Sequence, residues 1–153
     1  KGKRVVAVFL QETWLQTTDV PLQLTGYKWF GHCRTVKKTD GRYSGGVGAW
    51  VLNEYSAAFS ARKGEGNYGR SEGVQWLTFD RSGIKRAFCN VYKDSKYFVE
   101  LTGYDGGAIW GGIRDDVAHF RQLGYQVVVV GDLNAKLGYL DDGGGEPRGF
   151  RSA

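Results

Sequence analysis

Methionine is absent from all 153 residues, position 1 included, so the chain is expected to begin inside a longer precursor. Cysteine is scarce: Cys33 and Cys89 lie far apart with no CxxC pair. That spacing supports neither a disulfide framework nor a zinc site, and reduced, partly buried thiols fit an intracellular protein. No apolar run approaches the ~18 residues of a membrane span. The apolar part of Lys1–Leu10 is too short for a signal peptide, so no membrane partner is expected. There is no internal repeat. The 24 glycines sit in loops without a period, which signals turns rather than a fibrous array.

What is present fits one soluble globular domain. Hydrophobic residues make up 41% and charged residues 24%. A chain of this size buries roughly 68–70% of its unfolded surface, enough for a real core. The net charge of +5 gives a moderate positive field suited to a polyanion such as nucleic acid, although a solvated basic surface has the same composition.

Hydrophobic patterning predicts an α/β order. Val5–Gln11 is a continuous apolar run and predicts a buried strand. Short strands are expected over 26–31, 47–53 and 57–61, and a hairpin joins 74–79 to 84–92 through a turn at Asp80–Gly83. Ala108–Leu123 predicts a helix, with Ile109, Ile113, Val117 and Phe120 on one face and Asp115, Asp116, Arg121 and Gln122 mostly elsewhere. Gly124 is its natural stop, and Val127–Val130 predicts a central strand. The Gly-bearing segments 35–46 and 62–73 are loops, and 141–153 is a flexible Gly-rich tail.

The chemistry is concentrated where apolar strands stop. VVAVFLQETWL (5–15) and VVVVGDLNAKLG (127–138) each run from β-branched residues into acid-bearing polar ones. Glu12 follows the first strand, Asp132 the last, and Tyr92 ends the hairpin. In α/β sheets the functional crevice lies at strand ends, over a rigid base. Singly, such residues are ordinary turn, cap or packing residues. Together they suit a hard cation such as Mg²⁺, which takes oxygen ligands and keeps several waters. Asp132 is placed to activate a water, and Asn134, two residues on, to donate to a phosphate oxygen. Tyr92 is placed to orient the phosphate.

Four ordered segments also resemble the endonuclease/exonuclease/phosphatase family. VFLQETWL resembles its LQET segment, GGVGAWV (45–51) its GG-plus-strand segment, CNVYKD (89–94) the strand ending in its active-site tyrosine, and GDLNA (131–135) its GDFNA motif. The flavour is most similar to non-LTR retrotransposon endonuclease domains, which nick DNA. The resemblance implies Glu12 as metal ligand, Tyr92 as active-site tyrosine, Asp132 as water-activating aspartate and Asn134 as its phosphate-binding partner. It implies Mg²⁺, with Mn²⁺ as a substitute, duplex DNA as partner, and a nuclear setting.

The implied fold is a partial four-layer α/β sandwich of mixed β-sheets, DNase I-like. Residues 1–140 would be the central portion of that domain, without its N- and C-terminal strands. A fragment so cut would self-associate through exposed sheet edges. The family's other site contributions are an Asn on a preceding strand and an Asp-His pair on a following one. His32 and His119 do not take the histidine's place, and Asp94 stands where the family often has proline.

Lys37, Lys38, Arg42, Arg62, Lys63 and Arg70 cluster in the two Gly-rich loops, with Tyr43 and Tyr68 among them. Cations and aromatics on loops suit phosphate contact and base stacking. Two other readings remain open: a catalytically silent nucleic-acid-binding fragment, and a phosphodiesterase acting on a lipid or inositol phosphate.

Overall fold

The structure, a computed structural model, describes residues 4–16, 19, 21, 23–32, 45–62, 73–92 and 106–133. Asn134, Lys37, Lys38, Arg42, Lys63, Arg70, Asp94, Cys33 and the 141–153 tail lie outside them.

Two sheets form. The first contains β1 (Ala7–Gln11), β2 (Tyr27–His32) and β3 (Val47–Leu52), in the order β1-β3-β2 and antiparallel throughout. The second contains β4 (Phe59–Arg62), β5 (Val74–Arg81), β6 (Ile84–Tyr92) and β7 (Gln126–Asp132), in sequence order. β5 and β6 form an antiparallel hairpin, while β7 runs parallel to β6. A parallel neighbour requires a long crossover, and helix α2 (Gly106–Gln122) lies between them in the chain. One further helical turn, α1 (Asn53–Ser56), joins β3 to β4. The result is an α/β arrangement with an antiparallel and a mixed sheet.

Period-two alternation decides which side chains meet. Phe9, Ala49 and Phe30 form one cross-strand row on the inner face of the first sheet. They pack with Val51, Phe59, Leu77, Phe79 and Phe88 between the sheets. Phe9 and Phe88 make the central contact, with ring centroids 5.4 Å apart. On the far face of the second sheet, Trp76, Ala87, Cys89 and Val91 pack under Ile113 and Phe120 of α2. The β5–β6 connection is tighter than the four-residue turn expected. The strands run on to Arg81 and Ile84, leaving Ser82 and Gly83, both at positive φ, as a two-residue hairpin loop. Helix α2 stops at Gly124 as expected. Gly124 takes φ 81°, its N–H donates to Arg121 O, and Tyr125 N–H reaches back to Phe120 O, closing a Schellman motif.

Several expectations are corrected. β1 is only partly buried, and Leu10 on its outer face is 36% exposed. A continuous apolar run does not require two covered faces. The expected 57–61 strand begins later, at Phe59, because Ala57 and Ala58 form the turn that closes α1, with Ala58 N–H donating to Tyr55 O at 2.9 Å. β7 is not central: among the described residues it is the edge of its sheet, with Val128 and Val129 39% and 42% exposed. Asp116 does not fall on the solvent side of α2. It is 4% exposed, and its Oδ2 accepts the indole N–H of Trp76 at 2.9 Å. A carboxylate can face the core there because that buried donor needs an acceptor.

Candidate functional site

β1 lies across β6 with matching direction. Phe9 meets Phe88, Gln11 meets Asn90, and Glu12 meets Tyr92. From Phe9 toward Glu12 the interface between the sheets therefore changes from apolar to polar. Asn90 is completely buried. Its Nδ2 donates to Leu10 O at 3.1 Å and Gly48 O at 3.0 Å, and its Oδ1 accepts from Gln11 Nε2 at 2.6 Å. Beside it on the hairpin, Gln75 donates to Phe30 O at 3.0 Å.

The phenol of Tyr92 donates to Glu12 Oε1. Successive residues of a regular strand point to opposite faces, yet Gln11 and Glu12 both reach β6. The backbone explains this: Glu12 takes φ 51° and Trp14 φ 55°, both in the left-handed region. The turned segment is held from outside the strand, since Trp14 N–H donates to Gly45 O at 2.9 Å and Thr13 N–H to Gly46 O at 3.3 Å. Such conformations cost of order 1–3 kcal/mol each and persist where surrounding contacts fix them. The turn keeps the Glu12 carboxylate solvent-facing while one of its oxygens is tied to a nearly buried phenol.

Asp132 completes the constellation. It is the register partner of Tyr92 across the parallel β6–β7 pair, on the same side of the sheet, and it is exposed. Gly131, before it, has φ 137°, and a Cβ there would collide with the Val91 carbonyl. The close approach admits only glycine, and it brings the end of β7 hard against β6. Tyr92 is also anchored through its backbone, its N–H donating to Gly73 O at 2.7 Å. Glu12, Tyr92 and Asp132 thus lie at corresponding ends of three strands, just past the end of β1 and at the last residues of β6 and β7.

For a hard cation the fit is one of donor chemistry. Glu12 offers carboxylate oxygens at an exposed strand end, and ions such as Mg²⁺ need only one or two protein carboxylates with waters filling the rest. Among the described residues no group of three His, Cys, Asp or Glu side chains is close enough to cage an ion.

The other sequence candidates divide. Arg62 is the exposed last residue of β4, its Nε donating to Thr78 Oγ1 at 3.4 Å. His32 ends β2 in the cross-strand row of Val47 and Gln11, which places it at the same end of the first sheet as the site. His119 sits on α2, edge-on to Phe120, with centroids 5.7 Å apart. Cys89 faces α2 on the opposite side of β6 from Asn90, and burial followed by the nearby Asp116 carboxylate pushes its thiol up to about 12. Sequence reasoning assigned no role to Asn90, Gln11 or Gln75. Their signal was present, since each is an amide in or beside a strongly apolar strand, where a polar side chain needs a partner.

No protein-family model matches the chain, and no curated protein matches it.

Proposed function

We propose that this chain carries the centre of a divalent-metal phosphodiesterase site that nicks duplex DNA, within a DNase I-like four-layer sandwich. The observation supporting this most directly is the junction of Glu12, Tyr92 and Asp132 at three strand ends. Glu12 would hold Mg²⁺, or Mn²⁺ in its place. When bound, the ion supplies Lewis-acid polarisation of a phosphoryl oxygen and stabilisation of the leaving oxygen.

The residues of the chain do the rest. Tyr92 fixes one Glu12 oxygen and leaves the carboxylate facing solvent. Asp132 accepts a proton from water as the water oxygen bonds to phosphorus and the bond to the leaving oxygen breaks. Asn134 donates to a non-bridging oxygen as charge builds there. The basic residues of segments 35–46 and 62–73 contact backbone phosphates and position the duplex without reading its sequence. The net charge of +5 favours this polyanion over a small phosphodiester headgroup.

A supercoiled-plasmid nicking assay with Mg²⁺, with EDTA, and with Asp132→Ala tests the reading. Metal-dependent nicking lost in Asp132→Ala supports it. Salt-sensitive DNA binding with no nicking would leave a nucleic-acid-binding module and remove the enzyme. Preferential hydrolysis of soluble inositol or lipid headgroups would move the substrate.

A further inference from the structure

We propose that Asn90 and Gln11 are positioning residues for Glu12: together they lock the end of β1 so that the carboxylate is presented to the metal. The proposal rests on the metal-site reading above and deepens it.

Asn90 and Tyr92 lie two apart on β6 and share a face; Gln11 is the last residue of β1 and Glu12 follows it directly. The two pairs form a double latch, Gln11 to Asn90 and Glu12 to Tyr92. Asn90 also holds the strand itself through the carbonyl of Leu10, and the neighbouring strand β3 through the carbonyl of Gly48. Both amide hydrogens of Asn90 are thereby used, and its oxygen accepts from Gln11, so the buried amide is well satisfied. A core that needed only packing would be served by an apolar residue here, because each polar group brought inside must recover its lost hydration.

The polar network lies immediately before the residue where β1 leaves regular geometry. Glu12 has left-handed backbone, so the direction of its side chain depends on where the Gln11 peptide is held. Gln11 does not touch the carboxylate; it fixes the pivot on which the carboxylate turns. Partners that orient a metal ligand typically change metal affinity or activity by about 10–100-fold when removed.

The test is Mn²⁺ binding to the full chain, followed by electron paramagnetic resonance of the free ion, for the wild type, Gln11→Met and Asn90→Ala. Gln11→Met removes only the side-chain amide and leaves both Asn90 bonds to backbone carbonyls, so it keeps the measurement meaningful if Asn90→Ala fails to fold. The expected result is Mn²⁺ affinity lowered about tenfold in Gln11→Met, with near-ultraviolet circular dichroism and affinity for duplex DNA unchanged. Gln11→Met binding Mn²⁺ like the wild type overturns the positioning role while leaving the metal site standing. A wild type that binds no Mn²⁺ overturns both. Loss of affinity only in proportion to the unfolded fraction makes the pair structural and also overturns the proposal.

Discussion

Tyr92 of the mixed sheet and Glu12, the residue after β1 of the antiparallel sheet, eighty residues apart in the chain, are joined by a hydrogen bond from phenol to carboxylate. It links the two sheets at the polar end of their interface, and it ties an exposed acid to a nearly buried ring. Tyr92→Phe keeps the packing and removes the donor. A bond to a charged acceptor contributes about 1.5–3 kcal/mol, less where the acceptor is solvated as Glu12 is, so a loss near 1 kcal/mol is expected by urea denaturation. Metal-dependent nicking should fall at least tenfold, because the carboxylate loses its orientation. Unchanged nicking with unchanged stability would mean that the bond neither holds the sheets nor serves the site.

Gly131 tests the other strand. A Cβ at that position meets the Val91 carbonyl, and φ of 137° is strained for any other residue. Gly131→Ala must push β7 away from β6 or twist it, and the Tyr92–Asp132 register lies directly beyond. Destabilisation of about 2 kcal/mol or more is expected, together with weakened nicking. A variant as stable as the wild type would show that β7 adapts freely at its end.

Much of this arrangement was legible in the sequence, for identifiable reasons. Val127–Val130 and Ile84–Tyr92 read as strands from their runs of β-branched and aromatic residues, and the α2 face read from the spacing of Ile109, Ile113, Val117 and Phe120. The ends of those runs pointed to Glu12, Tyr92 and Asp132. What was not legible depends on contacts distant in the chain. Asp116 read as a surface residue because nothing local reveals that Trp76, forty positions earlier, brings a buried N–H to it. Asn90 drew no role from the sequence because its partners, two backbone carbonyls and the Gln11 amide, lie on β1 and β3, far from it in the chain. The edge position of β7 could not be read from its own residues, which are as apolar as those of a covered strand.

The Trp76–Asp116 bond carries a direct consequence. Asp116→Ala removes the acceptor and leaves a buried indole N–H unpaired, at a cost of about 1–3 kcal/mol. Asp116→Asn retains an acceptor and should lose less. Equilibrium unfolding followed by tryptophan fluorescence distinguishes the two, and equal loss in both would place the effect of Asp116 in its charge.

Cys89 gives a pH dependence of known sign. Burial, then Asp116, raises its thiol from 9.0 to about 12 in the folded chain. The unfolded state therefore ionises first. The contribution is fully present below pH 9.0 and is lost as pH rises toward about 12, declining by about 1.4 kcal/mol per pH unit across that window. Because lysines and tyrosines titrate there too, the measurement is the difference between wild type and Cys89→Ala in urea midpoints from pH 8 upward. At neutral pH the native thiol should resist a disulfide reagent until the protein unfolds. Rapid labelling of Cys89 in the folded chain, told apart from Cys33 by peptide mapping, would contradict its burial.

Arg62 offers a test of DNA contact that does not depend on catalysis. It is the exposed end of β4, where the chain enters the basic segment carrying Lys63 and Arg70. A side chain that neutralises one duplex phosphate contributes roughly 0.9 to the log–log salt slope of binding. Arg62→Ala should therefore reduce that slope by about one unit and weaken binding similarly on unrelated sequences. Nicking at saturating DNA should hold steady, since Glu12, Tyr92 and Asp132 are untouched. Fluorescence anisotropy on two duplexes of different sequence, from low to moderate salt, provides the measurement. A slope unchanged by the substitution removes Arg62 from the interface, and a loss confined to one duplex would make it a reader of bases rather than a backbone contact.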